Sequence, residues 1–141
     1  MEIQELHNYT PSQLEEIKSL MSQLSDRVIF SESKLMMVLK DTNSHLYVIL
    51  NDEHIVGCST LCIFHSPTGT KASIEDVVVS SDYRGQHLGK KLMEFVLEQA
   101  KAYAPIELHL TSNPMRVAAN NLYQSLGFMR KETNFYRMSI Y

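Results

Sequence analysis

The chain is short of cysteine, has no long apolar run, and lacks a strong excess of either charge. Each shortage removes a class of protein. Its two cysteines, Cys58 and Cys62, lie four apart in one apolar run. They therefore share one face of a strand, and with no second pair to complete a zinc site they are expected to be buried free thiols. No stretch of about 18 apolar residues occurs, so no transmembrane helix is expected. The opening "MEIQELHNYT" has neither the basic region nor the apolar core of a signal peptide, and a cytoplasmic location is the expectation. Thirteen basic against sixteen acidic side chains leave a formal charge of −3, so neither nucleic acid nor a membrane surface is an expected partner. His7, His45, His54 and His65 show no metal-ligand spacing, and no metal is expected. Internal repeats and low-complexity segments are lacking too.

What remains is 141 residues, 44% of them hydrophobic, which suits one domain over 1–141. "EIQEL" alternates weakly as a first strand. Thr10 and Pro11 open a helix as cap and first helical residue, and Leu14, Ile17, Leu20, Met21 and Leu24 follow at helical spacing. A second short helix is expected around Ser31 to Lys40. "HLYVIL" and "HIVGCSTLCIF" read as a hairpin through Asn51 to Glu53, and "ASIEDVVV" as the next strand after a break at Pro67 and Gly69. A long helix is expected from about Gln86 to Tyr103, its buried stripe made by Leu88, Leu92, Phe95, Val96 and Ala100. Lys90, Lys91, Glu94, Glu98 and Lys101 make its wet face. Pro105 stops it. "IELHLT" is another strand, Ser112-Asn113-Pro114 starts a helix that ends before Gly127, and "NFYRMSIY" closes the chain as a strand. The expected fold is α/β: a mixed, mostly antiparallel sheet of about six or seven strands with helices on both faces.

One passage carries chemistry. "VVVSSDYRGQHLGKKL" runs from strand to helix through a polar turn with two glycines. A helix N-terminus offers unpaired N–H donors and the positive end of a dipole. Gly85 and Gly89 let backbone come close, and Arg84 adds a charged donor. That combination suits a diphosphate. A P-loop is excluded, because only Gln86, His87 and Leu88 separate the glycines and Lys90 is followed by Lys91. The dinucleotide pattern fails on spacing as well.

Arg84-Gly85-Gln86-His87-Leu88-Gly89, preceded by Val77-Val78-Val79, resembles the acetyl-CoA motif of the GNAT superfamily of N-acetyltransferases. "NNLYQSLGF" resembles the family's second signature, and the order of elements is similar over nearly the whole chain. The sequence departs from the pattern at His87, where the family usually has glycine. That position is read as needing its N–H more than the lack of a side chain. The resemblance implies acetyl-CoA as cosubstrate and a sheet splayed where the cofactor's arm lies. It implies that Val77, Val78 and Val79 face the arm, and that the N–H groups of Arg84, Gly85, Gln86, His87, Leu88, Gly89 and Lys90 hold the pyrophosphate. Arg116, where the family often carries asparagine, and Asn120 join the cofactor side. A homodimer is a family expectation.

Transfer from a thioester to an amine needs a proton taken and a proton given. Tyr123 is the candidate donor; Arg116, Asn120 and Tyr123 share one helix face, with Met115, Ala118, Ala119, Leu122 and Leu126 on the other. Glu75 is the candidate base, placed by alternation on one face with Ser73, Val77 and Val79, where apolar surroundings favour a raised pKa. Asp76, His109 and water are its rivals. "IEDVVV" also resembles the matching strand of glucosamine-phosphate acetyltransferases. Tyr136 is placed in the acceptor pocket or a subunit contact. No cysteine has a base partner for a covalent route, so direct attack on the thioester by the primary amine of a small molecule or peptide is expected, in a ternary complex. A non-catalytic acyl-CoA-binding module and a nucleotide-binding regulatory domain are the alternatives.

Overall fold

Thr10 begins the first helix as its chemistry dictates. Its hydroxyl accepts from the Gln13 N–H at 3.1 Å while the Gln13 side chain accepts from the Thr10 N–H at 3.0 Å, so two orphan donors are satisfied reciprocally. The computed structural model describes residues 1–141, and by their contacts these form two compact units, Met1–Leu110 and Thr111–Tyr141.

The first unit holds β1 (Glu2–Glu5), α1 (Pro11–Leu24), α2 (Glu32–Lys40), β2 (Ser44–Asn51), β3 (His54–Ser66), β4 (Gly69–Val79), α3 (Leu88–Ala100) and β5 (Glu107–His109). Short 3₁₀ turns occupy Ser81–Tyr83 and Lys101–Tyr103. The strands form one sheet in the order β1-β2-β3-β4-β5. The first three pairings are antiparallel and β4 with β5 is parallel. Five strands replace the six or seven expected.

The sheet has helices on both faces, as expected. Leu46, Val48 and Leu50 of β2 join Ile55, Cys58 and Val78 in a core with Ile17 and Leu20 of α1 and Leu35 of α2. Alternation sends Tyr47 and Ile49 to the other side, where Tyr47 meets Phe95 of α3 edge-on with ring centroids 5.4 Å apart. Helix α3 buries Leu88, Leu92, Met93, Val96 and Ala100, a stripe at helical spacing that fixes its axial rotation. Met93 takes the fully buried place expected of Phe95, which is half-buried. None of the helices is long and apolar enough to cross a membrane.

Both thiols are free and sit in β3, on one face of it. Burial, aided by the charge of Asp76, pushes the Cys58 thiol up to about 12. The half-buried Cys62 thiol is also raised, mainly by burial, although a Ser44 hydrogen bond works the other way.

The second unit holds α4 (Val117–Ser125). The helix begins later than Ser112-Asn113-Pro114 suggested, because the Asn113 side chain accepts from the Met115 N–H at 2.9 Å and closes a local turn. Met115 and Ala118, from the apolar set expected opposite Arg116, Asn120 and Tyr123, are exposed, while Tyr123 is buried. Gly127, at φ 102, ends the helix: Phe128 N–H bonds to Tyr123 C=O at 3.0 Å and Gly127 N–H to Gln124 C=O at 3.1 Å. This is a Schellman cap. The expected closing strand is not formed. Phe135, Tyr136, Met138 and Ile140 are exposed, and residues 129–141 make no backbone hydrogen bond, without which an extended segment has no stability of its own.

Gly57 marks the tightest point of the sheet. A Cβ there would lie 2.8 Å from Ile49 Cδ1 and 3.1 Å from the Val78 carbonyl oxygen. Gly57→Ala is expected to cost about 1–3 kcal/mol, read as a lower urea midpoint. Ile49→Val removes that Cδ1, so the double variant should lose less than the sum of the singles; strictly additive losses would refute the clash.

Candidate active site

The site starts from an irregularity in β4. Thr60 pairs with Glu75 and Cys58 with Val78, so Ser59 of β3 faces two residues, Asp76 and Val77. That is a β-bulge, and Asp76 within it takes a left-handed conformation, φ 54. The extra residue reverses the alternation beyond it. Ser73 and Glu75 lie on the sheet face of α1 and α2, and so does Val78, which joins that core. Val79 pairs with Gly57 and lies on the α3 face with Ile49. The expectation that Ser73, Glu75, Val77 and Val79 share a face is corrected: it holds up to the bulge and fails past it.

Beyond Ser73 the other edge of β4 is open, because β5 pairs only through Lys71–Ser73. The pairing ends there because β5 is only three residues long, Glu107–His109. An open strand edge presents backbone donors and acceptors to an extended ligand.

The chain then turns through Ser81–Tyr83 into the loop. Arg84 is exposed, and its Nε lies 3.4 Å from the Val79 carbonyl, a long contact. Gly85 has φ 81 and His87 φ 59. No backbone N–H from Arg84 to Lys90 makes an internal hydrogen bond of good geometry, and the helix has no side-chain cap. Seven consecutive amides with Gly85, Gln86 and Gly89 among them thus remain available beside a helix N-terminus. Leu88 is buried and anchors the first turn. Lys90 is exposed and 3.9 Å from Glu94, too loose to hold it. The left-handed backbone at His87 corrects the earlier view of that position: the lack of a Cβ does matter there, since a non-glycine residue is strained.

Glu75 is exposed, and its Oε1 accepts a hydrogen bond from the Ser73 hydroxyl, its neighbour two residues back on the same strand face. Asp76 is exposed as a residue, yet its carboxyl is partly desolvated and stands above its ordinary value, first by burial and then through the charge of Glu75. His109 pairs with Ser73 across the parallel ladder, and its Nε2 is 3.9 Å from Glu107. All three base candidates therefore gather around the same stretch of β4.

In the second unit Arg116 is exposed and immediately precedes α4. Asn120 turns inward on its own turn, its Nδ2 donating to the Asn113 and Arg116 carbonyls at 2.9 and 2.8 Å. That occupies both of its amide protons and leaves only its oxygen for a ligand. Tyr123 is 7% exposed and meets Phe128 edge-on at 6.2 Å. Burial raises its pKa above the ordinary 10.0, with Arg116 opposing, so the phenol stays protonated at neutral pH. The "LYQSLGF" run thus reads as a helix end: Tyr123 supplies the capped carbonyl, Gly127 the left-handed residue and Phe128 the apolar contact.

Residues 6–128 match the model of the acetyltransferase (GNAT) family. The chain is 31% identical to N-acetyltransferase 8B of Rattus norvegicus over 94 residues, 65% of this chain and 42% of that protein. It is 33% identical to streptothricin acetyltransferase of Escherichia coli over 88 residues, 62% of this chain and 49% of that one. It spans about half the length of these curated relatives. A putative acetyltransferase from Agrobacterium tumefaciens str. C58 has the same fold, with a TM-score of 0.83, 19% identity and coverage of 99% of this chain and 100% of that chain.

Replacing His87 tests the loop. His87→Gly removes left-handed strain and is expected to stabilise the chain by about 0.5–1 kcal/mol in urea unfolding, while His87→Ala does not. Equal effects would show that the strain is not at this backbone position.

Proposed function

This chain belongs to the acetyltransferase (GNAT) family, and from that premise we propose that it transfers an acetyl group from acetyl-CoA to a primary amine by direct attack in a ternary complex. The observation that carries the reading is the row of unengaged amides from Arg84 to Lys90 at the start of α3, next to the open edge of β4. The first suits a diphosphate and the second an extended arm with amide groups. These residues fit acetyl-CoA.

Acetyl-CoA would supply the acyl carbon already activated as a thioester. The chain's own residues then have three tasks. Val77 to Val79 and the loop amides would hold the cosubstrate, so that amine and thioester meet at high effective concentration. A carboxylate of Glu75 or Asp76, the His109 ring, or a water would take the proton that the attacking amine must lose. As the nitrogen–carbon bond forms and the carbon–sulfur bond breaks, Tyr123 would give its phenolic proton to the departing thiolate. Its burial supports this role, since the acid form is the one present at working pH.

An amine acceptor fits the charge around β4. Asp41, Glu75 and Asp76 all act as negative neighbours on Cys62, and none of them forms an ion pair. A cationic amine is drawn toward such a surface.

The test is a panel of amines with acetyl-CoA, read by release of free CoA. Turnover with at least one amine is expected, and Tyr123→Phe should lower kcat about 10²-fold with unchanged acetyl-CoA affinity. No decline with pH should trace to Tyr123 below its ordinary 10.0, because its proton is lost only above that value. Acetyl-CoA binding without release for any amine would make the chain a binding module, and absence of acetyl-CoA binding by calorimetry would end the reading.

A further inference from the structure

The segment that delivers the chain to the amide row has no apolar anchor. The 3₁₀ turn Ser81–Tyr83 contains no buried residue. It stands over a crevice of ≈ 260 Å³, lined in part by Leu20, Gln23, Val56, Ser80 and Tyr83. Packing, which holds most turns near a core, is weak here. Polar ties do the holding instead.

Three ties reach the turn from the rest of the unit. Ser80 N–H donates to the Val56 carbonyl at 2.8 Å, extending the β3–β4 ladder by one step. Ser81 N–H donates to Gln23 Oε1 at 2.9 Å. Asn51 Nδ2 donates to the Tyr83 hydroxyl at 3.0 Å. The last two come from side chains on rigid elements. Gln23 lies in the last turn of α1, which Ile17 and Leu20 bury in the core and which Glu16 fastens to β3 through the Ile55 N–H at 3.1 Å. Gln13 Nε2 adds a bond to the Glu53 carbonyl at 2.9 Å. Asn51 ends β2 at the hairpin. Tyr83 immediately precedes Arg84, so its ring fixes where the amide row begins.

We infer that Gln23 and the Asn51–Tyr83 pair are positioning residues for the cosubstrate loop, a role that rests on the acetyltransferase reading above. They hold the entrance to Arg84–Lys90 ordered before a ligand arrives, so the ordering cost is met in the folded chain rather than at binding. They act through the loop and touch no reacting atom. Their loss therefore weakens acetyl-CoA binding and spares the chemical step.

Two arms test this. In the first, hydrogen exchange is followed by mass spectrometry on the chain without ligand. Gln23→Ala and Tyr83→Phe are expected to speed exchange over Ser80–Tyr83, where the Ser80, Ser81 and Tyr83 N–H groups are hydrogen-bonded, about three- to tenfold, the worth of one hydrogen bond. Exchange in β2 and β3 should not change. Gln23→Glu keeps the oxygen that accepts from Ser81 N–H, and Asn51→Asp offers an oxygen to which the Tyr83 hydroxyl can donate in place of the Asn51 Nδ2 bond; both should retain wild-type protection. Unchanged exchange in Ser80–Tyr83, or faster exchange spread over the sheet, overturns the inference. In the second arm, KM for acetyl-CoA should rise by about the same factor in both damaging variants. Meanwhile kcat and the acceptor KM should stay within about twofold of wild type; a fall in kcat alone overturns it. A wild-type chain that binds no acetyl-CoA removes the acetyltransferase reading, while the first arm, which needs no ligand, still decides whether these ties hold the loop.

Discussion

One residue too many in β4 governs the arrangement of the site. Opposite Ser59, the strand fits Asp76 and Val77 into the space of one residue, so every side chain beyond that point changes sides. Glu75 is left on the face of α1 and α2, while Val79 reaches the α3 face. A bulge also bends its strand and increases the local twist, and it occurs just past the point where β5 stops pairing. The distortion has a local cost. Asp76 holds a left-handed conformation, and the Ser59 hydroxyl is fully buried without a hydrogen-bond partner. Departures of this kind are tolerated where they serve a site and are offset elsewhere.

The offset lies in the two cores. Helices α1 and α2 close one face of the sheet, and α3 closes the other with a continuous apolar stripe. Because that stripe fixes the rotation of α3, the direction of its free N-terminal amides is fixed too. Where a glycine would be easiest, at His87, the chain accepts a strained backbone instead. Leu88 and Leu92 just beyond are buried and anchor the helix that follows it.

Local chemistry was legible in the sequence wherever a single residue type has a single physical use. Thr10-Pro11, the short helix around Ser31 to Lys40, the hairpin at Asn51 to Glu53 and most of the stripe of α3 could all be read from caps, turn residues and period. The place of the loop between β4 and α3 was legible too, from its glycines and polar turn residues. The bulge was not. Asp76 interrupts an otherwise regular alternation, and nothing but the register with β3 reveals the slip. Asn113 was misread because one side chain can cap a helix or close a turn, and neighbouring geometry decides between them. The last segment shows the limit of alternation as a signal: it reports what a strand would look like, but pairing needs a second strand. The ties from Gln23 and Asn51 join residues far apart in the chain and leave no local trace.

The sequestration of Cys58 has a practical meaning for measuring turnover. A thiol pushed to about 12 carries almost no thiolate near neutrality, and the raised, half-covered Cys62 is slow as well. Reagents that change colour on meeting a sulfhydryl would then see little of the folded polypeptide. If the proposed transfer takes place, their signal would come mainly from the small thiol it releases.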